Sequence, residues 1–154
     1  RLMMKYHHRF RVPAPLVRVS EFHSRAVSMA AITPPPIIVR IQRAPEVLKT
    51  GDEMAFVMWL GPLPLRWTAR IEDVSLLGFT DRQLHGPFAE WAHRHSFVPL
   101  DEQHTEVVDD ITLRLKSHPT WWLVGLGMRI GLPVLFAFRP WKTKSMLQSR
   151  EEIL

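Results

Sequence analysis

Six consecutive strand-like segments constrain the fold of this chain more than any other feature of its sequence. Between residues 37 and 115, alternating or β-branched stretches follow one another, separated by turns rich in glycine, proline or acidic residues. Parallel strands need long crossover connections, usually helices, so this pattern predicts an antiparallel meander rather than βαβ units. The predicted strands are 37–42, 54–60, 65–74, 78–85, 90–98 and 105–115.

The flanks of the meander carry different patterns. Residues 4–11 alternate as a half-buried strand does, and Pro13 and Pro15 end that strand. Two short helical stretches follow, from Leu16 to His23 and from about Val27 to Ile32, and the triple proline 34–36 ends the second. We therefore expect one α+β domain over residues 1–154, with a curved antiparallel sheet of about six to seven strands around a long C-terminal helix.

The C-terminal stretch is unusually apolar. The run from Trp121 to Phe138 has 18 residues and approaches the length of a membrane span. Arg129 near its middle, Pro133 and three glycines oppose a span, and a meandering sheet needs an element that covers its concave face. We therefore expect a covering helix, and a peripheral membrane contact through Trp121 and Trp122 stays open.

Composition excludes several classes of function. The chain has no cysteine, which removes disulfides, thiolate metal sites and a cysteine nucleophile. Its net charge is +5, but the basic residues are scattered and form no nucleic-acid-binding motif, so we expect no nucleic-acid partner. No phosphate-binding loop, nucleophile elbow or His-Glu-x-x-His motif occurs. The first residues lack a signal-peptide pattern, and a cytoplasmic location is expected.

One strand carries the most chemical information. Alternation sends Trp91, His93, His95 and Phe97 to one face, while the charged residues take the other. The same logic turns Asp109 inward on the last strand and groups Asp81 with Phe79 and Gln83. An apolar interior with a few converging polar groups is typical of a small-molecule site. The expected ligand-binding residues are Phe56, Met58, Trp67, Phe79, Gln83, Trp91, Phe97, Ile111, Leu113 and Phe136.

The polar residues of this interior admit more than one role. His93, His95, Asp109 and Asp81 are the candidate catalytic residues, because a histidine titrates near neutrality and a neighbouring carboxylate would orient it. The alternative is structural hydrogen bonding, with Asp109 and Asp81 paired to an arginine such as Arg66 or Arg70, or to a histidine. Two histidines and one carboxylate are a weak metal signature, so we expect neither a metal nor another cofactor.

Several stretches resemble a known superfamily. They read AAITPPP, GPLPLRWTARI, GFTDRQLHGPFAEWAHRHSF, HTEVVDDITLRL and, in the last helix, LFAFR. Together they span nearly the whole chain and resemble START-like proteins, also called SRPBCC or helix-grip proteins. Within that superfamily the chain is similar to the bacterial polyketide cyclase/dehydrase-like group of ligand-binding proteins. It departs from their pattern in its very apolar segment 121–131 and at Pro140, which should kink or interrupt the closing helix.

The resemblance implies a deep hydrophobic cavity between the sheet and the last helix, without fixing one activity. The first hypothesis is a protein that binds a lipid, polyketide or isoprenoid-like molecule. The second is a cofactor-free cyclase or dehydratase in which His93 or His95, oriented by Asp109 or Asp81, acts as acid or base. The third is an interaction module whose own tryptophan and methionine side chains fill the interior. The oligomeric state is left open.

Overall fold

A seven-stranded antiparallel sheet forms the body of the molecule. The computed structural model describes residues 2–151. The elements are β1 (Met4–Val12), α1 (Leu16–His23), α2 (Ala26–Ala31), β2 (Ile37–Arg43), β3 (Glu53–Leu60), β4 (Leu63–Ser75), β5 (Gly78–His85), β6 (Phe88–Pro99), β7 (Thr105–Leu115) and α3 (Pro119–Glu151). The strands lie in the order β1-β7-β6-β5-β4-β3-β2. Strands β2 to β7 are consecutive neighbours, as the short turns predict, while β1 pairs with β7 along its full length.

Alternation along the strands divides the sheet into two faces. In β4, for example, Leu65, Trp67 and Ile71 are buried, whereas Arg66 and Arg70 are exposed. Irregular pairing interrupts the register of β2 with β3, of β4 with β5 and of β6 with β7. Such bulges bend a strand and increase its twist, which curves the sheet toward the face that carries the buried side chains.

The close approach of β5 to β6 depends on Gly78. Gly78 begins β5 with φ of +145°, and a Cβ atom there would lie 2.1 Å from the carbonyl oxygen of His95. Only glycine fits both this backbone conformation and this contact. The start of β5 can therefore lie directly beside the part of β6 that carries the two histidines.

The long helix α3 covers the inner face of the sheet. Its buried residues recur every three or four positions, which places them on one side of a helix. They pack toward β1, β6 and β7 and meet α1 near the end of the chain. Two short helices connect the two edge strands of the sheet, as expected. The buried side chains of α3 are Leu132, Phe136, Arg139, Thr143 and Leu147.

The expected interruption at Pro140 is wrong, because α3 runs through both Pro133 and Pro140. A proline inside a helix removes one backbone hydrogen bond and crowds the preceding turn. Here Phe136 and Arg139 before Pro140, and Thr143 after it, are anchored in the core. Tertiary packing of one helical face supplies most helical stability in proteins, so it outweighs the local cost.

Candidate functional site

A cavity of about 510 Å³ lies between the sheet and α3. Its walls come from strands β2 to β7, from α2, from the end of α1 and from the first two-thirds of α3. Most of the wall is apolar. Seven of the predicted ligand-binding residues line it: Phe56, Met58, Trp67, Phe79, Trp91, Ile111 and Phe136.

The remaining three predicted ligand-binding residues lie elsewhere. Gln83 donates from Nε2 to the carbonyl of Phe88 and accepts from its amide, at 2.8 and 3.1 Å, so it braces the β5–β6 turn. Phe97 is buried against the ring of His23, with ring centroids 4.7 Å apart. Leu113 is fully buried in the core beside the cavity. Alternation selected the correct face for these residues, but the cavity occupies only part of that face.

The four candidate catalytic residues do come together, at one end of the cavity. His93 and His95 are two residues apart on β6, and their rings stack with centroids 3.7 Å apart. His93 Nε2 lies 2.8 Å from Asp109 Oδ1, and His95 Nε2 lies 2.8 Å from Asp81 Oδ2. Asp81, His93 and His95 line the cavity, whereas Asp109 lies behind the histidines and is fully buried.

The arginine that pairs with Asp109 is Arg139, which the sequence analysis did not select. Its Nη1 donates to Asp109 Oδ1 at 2.5 Å, and its Nη2 lies 3.4 Å from His95 Nδ1. The suggested partners Arg66 and Arg70 are wrong, because they alternate to the outer face of β4. Helical spacing places Arg139 on the same side of α3 as Leu132, Phe136 and Thr143, but the sequence does not show which side of the helix faces the sheet.

The pKa values of the two acids at this end of the cavity are shifted in opposite directions. Burial by itself would raise the pKa of Asp109, but the Arg139 guanidinium and the hydrogen bond from His93 outweigh it and hold that pKa well below its usual range. Asp109 is therefore a carboxylate. For Asp81, burial dominates the opposing charges and raises the pKa of the carboxyl. Asp81 still keeps 21% of its side-chain surface accessible.

The neighbours of His95 fix its tautomer. Burial lowers the pKa of His95 well below its ordinary value, so the ring is neutral. Arginine only donates, so the contact with Arg139 makes Nδ1 of His95 the acceptor. The proton then sits on Nε2 and points to Asp81. His93 donates from Nε2 to the Asp109 carboxylate, and its Nδ1 lies 3.9 Å from Asp81 Oδ2.

A third histidine, His23 at the end of α1, completes the polar end. In the sequence it was notable only as the end of a short helical stretch, yet it lines the cavity and is buried. Its Nδ1 donates to the carbonyl of Val19 at 2.8 Å, and its Nε2 has no hydrogen-bond partner among the described residues. Burial lowers the pKa of His23 to about 3, so it is a neutral acceptor at physiological pH.

The same residues offer a poor site for a metal ion. The ligand atoms of Asp81, His93 and His95 lie within 4.8 Å of one another. A cation among them would have to displace the hydrogen bond between His95 and Asp81, and Arg139 already places a positive charge 3.4 Å from the other nitrogen of His95. We therefore derive no metal chemistry from this group.

Comparisons with known proteins agree with this architecture. No protein-family model matches the chain, and no curated protein matches it. Among solved structures, the Zhui aromatase/cyclase from Streptomyces sp. R1128 is similar over 98% of this chain and 94% of its own, with 18% identity and a TM-score of 0.68. Norcoclaurine synthase from Thalictrum flavum, in complex with dopamine and hydroxybenzaldehyde, is similar over 96% of this chain and 88% of its own, with 12% identity and a TM-score of 0.68.

The chain has the helix-grip fold. A third similar structure, the nucleoside-diphosphate sugar epimerase from Corynebacterium glutamicum, shares 26% identity and a TM-score of 0.65 with this helix-grip protein. That match covers 97% of this chain but only 31% of the epimerase chain. The helix-grip chain thus corresponds to less than a third of that longer protein.

Proposed function

We propose that this helix-grip protein binds a hydrophobic small molecule in the cavity between its sheet and α3. The observation that carries the proposal is the cavity itself, because about 510 Å³ lies within the usual range for small-molecule sites and its wall is mostly apolar. The relatives support a ligand of this kind, since their fold accommodates dopamine with hydroxybenzaldehyde and the substrates of an aromatase/cyclase. Lipid, polyketide and isoprenoid-like molecules are the candidate classes.

The polar end favours a ligand that carries a hydrogen-bond donor, such as a hydroxyl group. Two groups there offer lone pairs to the cavity: His23 Nε2 and the Asp81 carboxyl. Acceptors that remain unpaired on burial cost free energy, so a ligand hydroxyl would be held there while its apolar body fills the rest of the cavity.

The first experiment is native mass spectrometry of the gently purified protein, followed by extraction of whatever is bound. A defined hydrophobic molecule at near-unit stoichiometry supports the proposal. A matched pair of probes, naphthol and its methyl ether, then tests the polar end in the emptied protein. We expect naphthol to bind about fivefold more tightly, since one hydrogen bond is worth about 1 kcal/mol. His23→Phe should reduce that preference.

Two results would contradict these expectations, the first by excluding cavity binding and the second by excluding only the donor requirement. One is an empty protein that binds neither probe nor any lipid, polyketide or isoprenoid. The other is equal affinity for naphthol and its ether, which would remove the donor requirement while leaving hydrophobic binding intact.

A second candidate function is acid–base catalysis on the bound molecule, as in a cyclase or dehydratase. The observation that favours it is the chain of hydrogen bonds from Arg139 through His95 to Asp81, which ends at the cavity. Asp81, with its raised pKa, would exchange a proton with the ligand, and His93 would be the second proton carrier. On an identified substrate, Asp81→Asn should abolish turnover but preserve binding, and His93→Ala and His95→Ala should lower turnover. Full turnover by all three variants would leave binding as the function.

A further inference from the structure

The side of α3 that faces away from the sheet is apolar and exposed. Ile130 and Val134 expose 68% and 73% of their surface, and Trp141, at 63%, extends the same face toward the end of the helix. These residues recur at helical spacing opposite the buried Phe136 and Arg139. We call Ile130, Val134 and Trp141 the outer face of α3. Contiguous apolar surfaces of this kind mark sites of contact with a protein or a membrane.

The charged residues of α3 itself have one sign over most of its length. Residues 119–148 contain no aspartate or glutamate, but they contain Arg129, Lys142 and Lys144 besides the buried Arg139. Lys142 and Lys144 are half-buried and flank the outer face by helical spacing. Arg129 instead turns toward β1, where it donates to the carbonyl of Lys5 at 3.1 Å and lies over the ring of Tyr6. An apolar face with a basic border is the composition of a helix that lies on an anionic lipid surface.

The outer face also adjoins the cavity. Leu123, Gly127 and Gly131 on α3 are exposed and line the cavity at the same time, and so does Leu63 at the start of β4. The cavity therefore reaches the surface between the first half of α3 and the β3–β4 turn. A lipid surface that covers the outer face would meet this opening.

We propose that the protein docks on anionic membranes through the outer face of α3, with the helix lying along the lipid surface. A second copy of the chain fits this face less well, since a two-fold interface would bring the basic residues of two α3 helices together without acidic partners on α3. A membrane span fits less well too, because the inner side of the same helix holds the buried ion pair between Arg139 and Asp109. α3 is the one helix in the described residues whose length and composition would suit a span, which by itself is weak evidence for one.

The test is co-sedimentation of the purified protein with vesicles of phosphatidylcholine, with or without phosphatidylglycerol. We expect binding to the mixed vesicles that weakens as salt is raised. Replacing Ile130 and Val134 together by serine should lower the partition coefficient at least tenfold. Lys142→Gln should lower it about fivefold, since each basic residue at an anionic surface contributes about a factor of this size.

The control is a pair of exposed apolar residues on the other face of the sheet. Ile38 and Val98 expose 52% and 44% of their surface and alternate with the inward residues Val39 and Phe97. Their joint replacement by serine should leave vesicle binding unchanged, and circular dichroism should show all variants folded. The proposal is overturned if the protein does not bind mixed vesicles, or if the control variant loses binding equally. It is also overturned if sedimentation shows a dimer that the Ile130 and Val134 replacements dissociate while vesicle binding is absent.

Discussion

A buried charge pair holds the polar end of the cavity in place. Asp109 has no exposed surface, and its carboxylate receives hydrogen bonds from Arg139 and His93. Removing one partner of a buried pair leaves the other charge without compensation, and that is far more costly than losing a surface pair. Arg139 thus joins α3 to the sheet at the point where the two histidines face the cavity.

We expect Arg139→Met to lower the free energy of unfolding by about 3 to 5 kcal/mol, measured by urea denaturation. The double variant Arg139→Met with Asp109→Asn should recover part of this loss, because it removes both charges. Arg114→Gln is the matched control, since Arg114 pairs with Glu90 at the surface, and it should cost less than about 1 kcal/mol. Equal costs for Arg139→Met and Arg114→Gln would show that the buried pair contributes little.

We expect His23, at the end of α1, to make the stability of the protein depend on pH. Its folded-state pKa is about 3, below the ordinary value of 6.5. Between these two pH values, the histidine is protonated in the unfolded chain but not in the folded protein. Stability is therefore fully present above the ordinary pKa and falls as the pH drops from 6.5 toward 3, by up to about 1.4 kcal/mol per pH unit. His23→Gln should flatten this slope in urea denaturation at several pH values. An unchanged slope would assign the dependence to other groups, such as His95.

Sequence alone selected the inward carboxylate and the two strand histidines, because alternation in a strand has a fixed period. It missed Arg139 and His23 for a physical reason. Both lie on helices, and the rotation of a helix against a sheet depends on packing between distant parts of the chain. The same limit explains Gln83, whose face was assigned by alternation but whose hydrogen bonds go to the adjacent turn.

At the scale of elements, the strands and the two short helices follow the predicted segments closely, since turns and periodicity are local signals. The prolines of α3 are the exception, because the packing that keeps the helix intact across Pro140 involves β6 and β7. The glycines of α3 divide into two kinds. A Cβ at Gly125 would lie 2.9 Å from the side chain of Leu115, whereas Gly127 and Gly131 have open space.

This division predicts opposite responses to alanine. Gly127→Ala and Gly131→Ala should each raise the free energy of unfolding by about 0.5 to 1 kcal/mol, since alanine favours a helix and no neighbour must move. Gly125→Ala should give no such gain, because the core side chain of Leu115 must shift to admit the methyl group. Thermal unfolding of the three variants measures the contrast. A gain at Gly125 equal to the gain at Gly127 would indicate a loosely packed contact between α3 and β7.

At the scale of the whole molecule, α3 packs against only part of the sheet and leaves a cavity over the rest. α3 packs toward β1, β6 and β7, and the cavity takes the space toward β2 to β5. Protein interiors are otherwise close-packed, so such a space forgoes apolar contacts that would stabilise the protein. A ligand-binding protein needs such a cavity despite its cost in stability. An interaction module would instead be expected to fill the space with its own side chains.

Two buried alanines distinguish these alternatives. Ala69 on β4 lines the cavity, and Ala14 lies in the closed core between β1 and α1. Ala69→Met should extend into open space, raise the free energy of unfolding by about 1 kcal/mol through added apolar contact, and abolish ligand binding. Ala14→Met must displace packed neighbours and should cost about 1 to 3 kcal/mol. If urea denaturation shows equal losses for both variants, the interior at Ala69 is filled in solution, and the cavity that carries the proposed binding function does not exist there. A gain at Ala69 together with lost binding would instead show that stability and ligand capacity compete for the same space.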